Sequence, residues 1–335
     1  MRLLPVLLLL ISPLVSHAQS KEPDGPASAE IRQLAAEDQA DRSKPVPYPK
    51  AEAKRMSDRD TARRKRMSEL LKQDKLVTGE DYDHAALLFQ HGSNPDDYLV
   101  ARELAIVAGM KGRYGSLPAL AEDRFLVSIK RKQRFGSQSK FDESGKQILN
   151  DVDESGPESV VDSLRLDFMV LPLAASKAKY EKAAQESMPQ FMARLEDRLD
   201  PKNRQKQESS EASLELKRIY VQYLHLTPPK AEIDRVIEMY QKDMLVAPRD
   251  YLYAAEIIRR SPPYGDYTNR LLLASELAAI AAIRRYPYAA KSFANIWDRY
   301  AKASHLTPRY ETGSEYAVAA SVAPGVRKAF GIRRY

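Results

Sequence analysis

The chain has 335 residues, a formal net charge of +7 and no cysteine. Without cysteine there is no disulfide framework, no thiolate-held metal and no lipid-modified N-terminal cysteine, so the core must hold itself together by packing. The charge excess is local: residues 249–335 carry 14 Lys plus Arg against 7 Asp plus Glu, while the rest of the chain balances at 39 against 39.

Met1 and Arg2 lead an apolar run from Leu3 to Val15, followed by Ser16, His17 and Ala18. A basic start, an apolar stretch short of a membrane span and small residues at Ser16 and Ala18 predict a signal peptide over 1–18. Export would leave about 317 residues, two domains by length, in a bacterial periplasm or secreted. No later segment is long and apolar enough to span a bilayer. Residues 19–27 are polar and read as a mobile N-terminus. A first helix is expected from Ser28, which can cap free backbone amides, to Arg42. Pro45, Pro47 and Pro49 then fix an extended connector. Ser57 and Asp58 are positioned to open a second helix with Met67, Leu70 and Leu71 on one side, and a third is expected over Asp81–Gln90 with His91 at its end.

The clearest element starts at Asn94. Asn94 caps, Pro95 suits the first helical position, Asp96 and Asp97 favour the positive helix end, and Ala101, Ala105 and Ala108 form a narrow stripe. After Gly112, a partner helix following Pro118 completes a helical hairpin with an alanine-rich seam. GSQSKFDESGKQILNDV, with Glu143, Ser144 and Gly145 at its centre, reads as a small β-hairpin. Helical spacing resumes from Ser159 to Lys182. The charged stretch Asp200–Ala212 has no apolar face and suggests a boundary near Gln205, giving a first unit over 28–204 and a second over 205–335.

The two units are related. LKQDKLVTGEDYDHAALLF at 71–89 aligns without a gap on YQKDMLVAPRDYLYAAEII at 240–258; ARELAIVA at Ala101 resembles ASELAAIA at Ala274, EDRF at Glu122 resembles WDRY at Trp297, and QRF at Gln133 resembles PRY at Pro308. The second unit rebuilds the hairpin with Leu271–Ile283, a turn at Tyr286 and Pro287, and a helix through Ile296 to Ala301. The expected fold is therefore mainly α: a tandem of two related helical units built on helical hairpins, with a small β-hairpin in the first.

The units differ in their polar groups. FQHG at Phe89 becomes IRRS at Ile258, and FGSQ at Phe135 becomes YETG at Tyr310. His91, Asp123 and Arg124 are the catalytic candidates: His91 as a base near neutral pH, Asp123 as its orienting carboxylate. Asp38, Gln90, Gln133, Arg134 and Gln138 are the ligand-binding candidates, with Arg134 and the glutamines suited to an anionic or amide group. The structural alternatives are a histidine capping helix carbonyls, an Asp–Arg tie between helices, and glutamines satisfying loop backbone. No metal site is expected. His84 and His91 are about 10 Å apart by helical rise, and there is no HExxH, no phosphate loop and no GxSxG elbow. No cofactor is implied.

These motifs resemble a bacterial domain family of unknown function whose signature combines an EDQ..R helix, a Y..AA..FQHG turn, an LA..A hairpin, a DR pair and a PQR[FY]GTQ loop. The matches are Glu37 to Gln39 with Arg42, Tyr82 with Ala85 and Ala86, Phe89 to Gly92, Asp123 with Arg124, and Gln133 to Gln138. Lys132 replaces the family's usual Pro, and Ser137 its Thr. The resemblance covers roughly 34–173 and implies no established activity. Ten of the 18 tyrosines fall between Tyr251 and Tyr335, often beside arginine, a composition suited to protein interfaces and anionic polymers. The expected function is therefore an exported interaction protein whose partner is a protein, such as an exported toxin, or an anionic envelope ligand, with no nucleic-acid role. The alternative is a hydrolase-like enzyme with its site around His91 and Asp123.

Overall fold

A computed structural model describes residues 23–43, 48–181, 200–310 and 322–332. The signal peptide expected over 1–18, residues 19–22 of the N-terminal stretch, Pro45 and Pro47 of the connector, and residues 311–321 lie outside the described residues.

The protein is mainly helical. Its elements are α1 (Ser28–Arg42), α2 (Lys50–Lys72), α3 (Gly79–Gln90), α4 (Pro95–Met110), α5 (Leu117–Ser128), β1 (Ser139–Phe141), β2 (Gln147–Leu149), α6 (Asp162–Asp167) and α7 (Leu173–Glu181). They continue as α8 (Arg204–Glu208), α9 (Glu211–Gln222), α10 (Lys230–Gln241), α11 (Pro248–Ile258), α12 (Tyr267–Ile283), α13 (Ala289–Ala303) and α14 (Pro324–Ala329). Among the described residues no helix is long and apolar enough to cross a membrane.

The chain forms two compact units. The first holds the described residues up to Val152, those from Phe168 to the end of α7, and Ala323–Gly325; the second holds Asp153–Asp167, the described residues from 200 to Val322, and those from Val326 onward. Residues 153–167 thus cluster with the second unit, where the Tyr240 hydroxyl donates to Ser159 O at 3.0 Å and accepts from Val161 N at 3.1 Å.

In the first unit α3 packs on α4, α4 on α5, and α1 and α2 on α3. The hairpin forms where the alanine stripe predicts it. Ala101, Ala105 and Ala108 are buried in α4, with Ala119 and Ala121 in α5, and small side chains let the two backbones approach. Asn94 caps α4 by accepting from Asp97 N at 2.9 Å. β1 and β2 pair antiparallel with Lys140 opposite Ile148, joined by a turn in which Gly145 adopts φ 80°, a left-handed conformation that favours glycine.

Two expectations are corrected. α2 begins at Lys50, directly after Pro49, rather than near Ser57. Its first turns are held by exposed ion pairs, Glu52 with Arg55 and Arg59 and Lys54 with Asp58, spaced for a helix surface without an apolar stripe. Ser28 makes no capping bond to the amides that follow it; its hydroxyl donates to Asp81 Oδ2 at 3.0 Å, tying α1 to the start of α3.

The second unit repeats this plan with α9, α10, α11, α12 and α13 in the places of α1 to α5, and the backbone devices coincide. Asp81 accepts from Val77 N and Thr78 N at 2.9 Å each; Asp250 accepts from Val246 N and Ala247 N at 3.4 and 3.0 Å. Ser213 donates to Asp250 as Ser28 does to Asp81. Asp74 and Asp243 both turn the chain at positive φ, 54° and 57°, as do Gly112 and Arg285 after the fourth helix of each unit, at 91° and 59°. α12 is buried over nearly its whole circumference, as an apolar helix at the centre of a bundle must be.

Candidate functional site

His91 is the C-cap of α3, and its side chain is 3% exposed. The carboxylate that holds it is that of Asp38 on α1, with Nδ1 and Oδ2 2.8 Å apart. Asp38 also accepts from Arg42 Nη1 at 2.7 Å and from Gln39 Nε2 at 2.9 Å. A chain of ions continues from there: Arg42 bridges to Asp60 at 2.8 Å, Asp60 meets Arg63 at 2.8 Å, and Arg63 and Arg59 share Asp41.

Burial raises the Asp38 carboxyl, but the hydrogen bonds and charges of His91, Arg42 and Gln39 outweigh that and hold it below its usual range. Burial holds the His91 imidazole below its usual range, against the pull of Asp38. At neutral pH the pair is therefore a carboxylate accepting Nδ1–H from a neutral imidazole, with the lone pair on Nε2. Nε2 is buried and has no hydrogen-bond partner among the described residues. The neighbouring Gln90 is fully buried, and neither its amide oxygen nor its amide nitrogen is paired.

Arg124, on α5, donates from Nη1 to Gln90 O and from Nε to Gln138 Oε1 at 3.1 Å. Its guanidinium lies 5.9 Å from the centroid of the Tyr98 ring, and Tyr98 donates to Gly92 O at 3.1 Å. Burial brings the Arg124 guanidinium down to about 10. On the other side, Arg64 donates to His91 O at 3.0 Å. Cationic groups thus meet the carbonyls at the negative end of α3, where the helix dipole favours them.

The remaining candidates are placed differently. Asp123 is fully buried, and its carboxylate accepts from Arg134 N at 2.7 Å, Phe135 N at 2.9 Å, Ser137 N at 2.9 Å and Ser137 Oγ at 2.8 Å. It organises the loop after α5. Gln133 serves the same loop, donating to Gln138 O at 3.0 Å and Asn150 O at 2.8 Å and accepting from Gln138 N at 2.8 Å. Arg134 is 1% exposed. The structure thus gathers Asp38, Gln90, His91, Arg124 and Gln138 about the end of α3 and assigns Asp123 and Gln133 to loop architecture. The second unit keeps the clamp: Asp298 Oδ1 accepts from Arg309 N and Tyr310 N, both at 2.8 Å. Among the described residues no group of three or more His, Asp and Glu side chains is arranged to hold a metal ion.

At the positions of Asp38, Gln90, His91 and Arg124 the second unit has Tyr223, Arg259, Arg260 and Arg299. Arg260 donates to Tyr223 O at 3.2 Å and pairs with Glu256 at 3.1 Å, and Arg299 is exposed, donating to Tyr267 Oη at 2.7 Å. What this unit has in exchange is an open groove of about 380 Å³ lined by Tyr220, Tyr253, Tyr286, Tyr288, Lys291 and Asn295. Tyr220 and Tyr253 stack with centroids 4.0 Å apart and planes at 6°, and Tyr286 meets Tyr253 edge-on at 6.4 Å. Arg260, Arg249 and Arg204 lie about the faces of these three rings at 5.8, 6.0 and 5.9 Å, within cation–π range. Tyr288 is 83% exposed and holds φ 64°, a strained position for a residue with a Cβ. These rings escaped the sequence reading, although Tyr220, Tyr253 and Tyr286 recur every 33 residues.

In comparison with known proteins, no family model, no curated protein and no solved structure matches the chain.

Proposed function

We propose that the protein is an exported binding protein that takes an extended acidic segment of a partner protein into the tyrosine-lined groove of its second unit. The observation that carries this reading is the groove itself. Stacked and edge-on tyrosine rings offer rigid, amphipathic contact area of the kind that dominates interfaces. Arg204, Arg249, Arg259, Arg260 and Lys291 surround the groove and its rings against Glu208 and Glu256, so the balance there is positive and an acidic segment is the complementary ligand. Export rests on the basic start, apolar run and small residues of 1–18, and the resemblance carried by the EDQ, FQHG and QRFGSQ motifs stands as part of the same reading.

The test is fluorescence anisotropy of the full chain with a labelled extended peptide of glutamates interspersed with prolines, and with its glutamine counterpart. The glutamate peptide should bind with a Kd of about 10 µM or tighter and weaken as salt is raised past about 0.15 M. Lys291→Glu and Tyr288→Ala, both at exposed positions, should each weaken it by about tenfold. Equal binding of the two peptides, or unchanged binding by both variants, sinks the reading.

A second reading, a hydrolase-like first unit, draws on the imidazole that Asp38 holds at Nδ1 with Nε2 free to take a proton. Among the described residues no hydroxyl lies within hydrogen-bonding distance of Nε2, so His91 would act on water rather than on a side-chain nucleophile. Hydrolysis of a chromogenic ester or amide by the native chain, abolished in His91→Ala, would favour this reading; equal turnover by both proteins excludes it.

A further inference from the structure

Arg124 departs from the usual treatment of guanidinium groups in this protein. It is half-buried and, among the described residues, donates only to neutral oxygens, Gln90 O and Gln138 Oε1, with no carboxylate in ion-pair range. Among the described residues its Nη2 has no hydrogen-bond partner, and it is not enclosed, so it reaches solvent. Nearby, Arg42, Arg59, Arg63 and Arg66 are each matched to acids. A partly desolvated cation held only by neutral oxygens is costly, and the cost falls when an anion is bound.

The group beside it is also incomplete. Arg124 sits on the carbonyl of the residue preceding His91, and His91 Nε2 is a buried acceptor with nothing donating to it. Asp38 fixes the imidazole from the far side, so Nε2 is oriented and its proton state set before any ligand arrives. Gln90 adds an unpaired amide in the same turn of α3. Buried polar atoms in folded proteins are almost always satisfied, and here the Nε2 acceptor and the Gln90 amide lie beside a guanidinium with no counter-ion, a set that a polar ligand would complete. A bare carboxylate or phosphate oxygen would be repelled by the Nε2 lone pair. The complementary ligand carries an anionic group for Arg124 and a hydroxyl hydrogen for Nε2.

We propose that the end of α3 in the first unit, with Arg124 of α5 and His91 held by Asp38 of α1, is a binding site for a small hydroxycarboxylate, its carboxylate paired with Arg124 and its hydroxyl donating to His91 Nε2. The site is specific to the first unit, since the second has the exposed Arg299 and the arginine Arg260 at these places. It is independent of the tyrosine groove, and either can fail alone.

The experiment uses the full chain labelled with ¹⁵N-histidine, titrated with glycolate, acetate and chloride at matched ionic strength, with the His91 resonance assigned by its loss in His91→Asn. Glycolate should shift the His91 Nε2 resonance with a Kd of about 1 mM, acetate should bind at least fivefold more weakly, and chloride should do nothing. Arg124→Gln should weaken glycolate at least tenfold. An unmoved His91 resonance at about 50 mM glycolate, far above that Kd, overturns the proposal with the native protein alone, whether or not Arg124→Gln folds. Equal affinity for acetate overturns the hydroxyl contact, and undiminished binding by a folded Arg124→Gln overturns the ion pair.

Discussion

The two units share their backbone solutions and differ in what they attach to them. Asp81 and Asp250 close the amides ahead of the third helix, Ser28 and Ser213 tie the first helix to it, and Asp123 and Asp298 clamp the loop after the fifth. Where the first unit has ions around the end of α3, the second has tyrosines and arginines around an open groove. Polar residues present in both halves therefore build the fold, and polar residues present in one half are where function is to be sought. Asp123 falls in the first group and His91 in the second.

The largest expected effect tests a buried difference. Arg102 and Glu122 form an ion pair at 2.6 Å, 2% and 1% exposed, linking α4 to α5; the second unit has Ser275 and Trp297 at these positions, the latter 2% exposed. Glu122→Gln should cost about 3–5 kcal/mol, because it removes one charge of a buried ion pair, whereas Arg102→Met with Glu122→Leu should recover most of that. Urea denaturation reads both, and an undisturbed Glu122→Gln would mean that the ions contribute no more than the tryptophan does.

Next comes a shared feature. Asp123→Ala and Asp298→Ala should each cost about 2–3 kcal/mol by orphaning buried loop amides. A silent Asp298→Ala breaks the equivalence of the two loops.

The smallest effect is a pH dependence confined to the first unit. His91 titrates lower when folded than the value of about 6.5 it has in an unfolded chain. Over that window the native state binds fewer protons than the unfolded one, so stability rises with pH. This contribution is complete above about pH 6.5 and is lost as the pH falls below that value. Native protein should therefore lose more stability than His91→Asn on going from neutral to mildly acidic buffer, by less than either effect above; parallel curves would remove His91 as the source.

Much of the fold was legible. Asn94, Pro95, Asp96 and Asp97 announce α4 because capping is local chemistry, and the gapless match of 71–89 to 240–258 announces the repeat. The start of α2 was not legible, because Lys50–Asp58 has no apolar period and is held by side-chain ion pairs. Half of the site was visible. FQHG stands out because it occurs once, but the carboxylate on His91 comes from 53 residues earlier in the chain, a distance no local pattern encodes. The role of Asp123 was encoded after all: it precedes Arg134 by the same 11 residues that separate Asp298 from Arg309, a spacing kept by a half that lacks FQHG.

One junction constrains how such a chain can change. The end of α3 is fastened to α1 through Asp38, to α2 through Arg64 and to α5 through Arg124, so a change at any one of these positions removes a tie that the others share. They should be inherited as a block. The second half has Tyr223, Ile233, Arg260 and Arg299 at the corresponding positions, so there the whole set differs together.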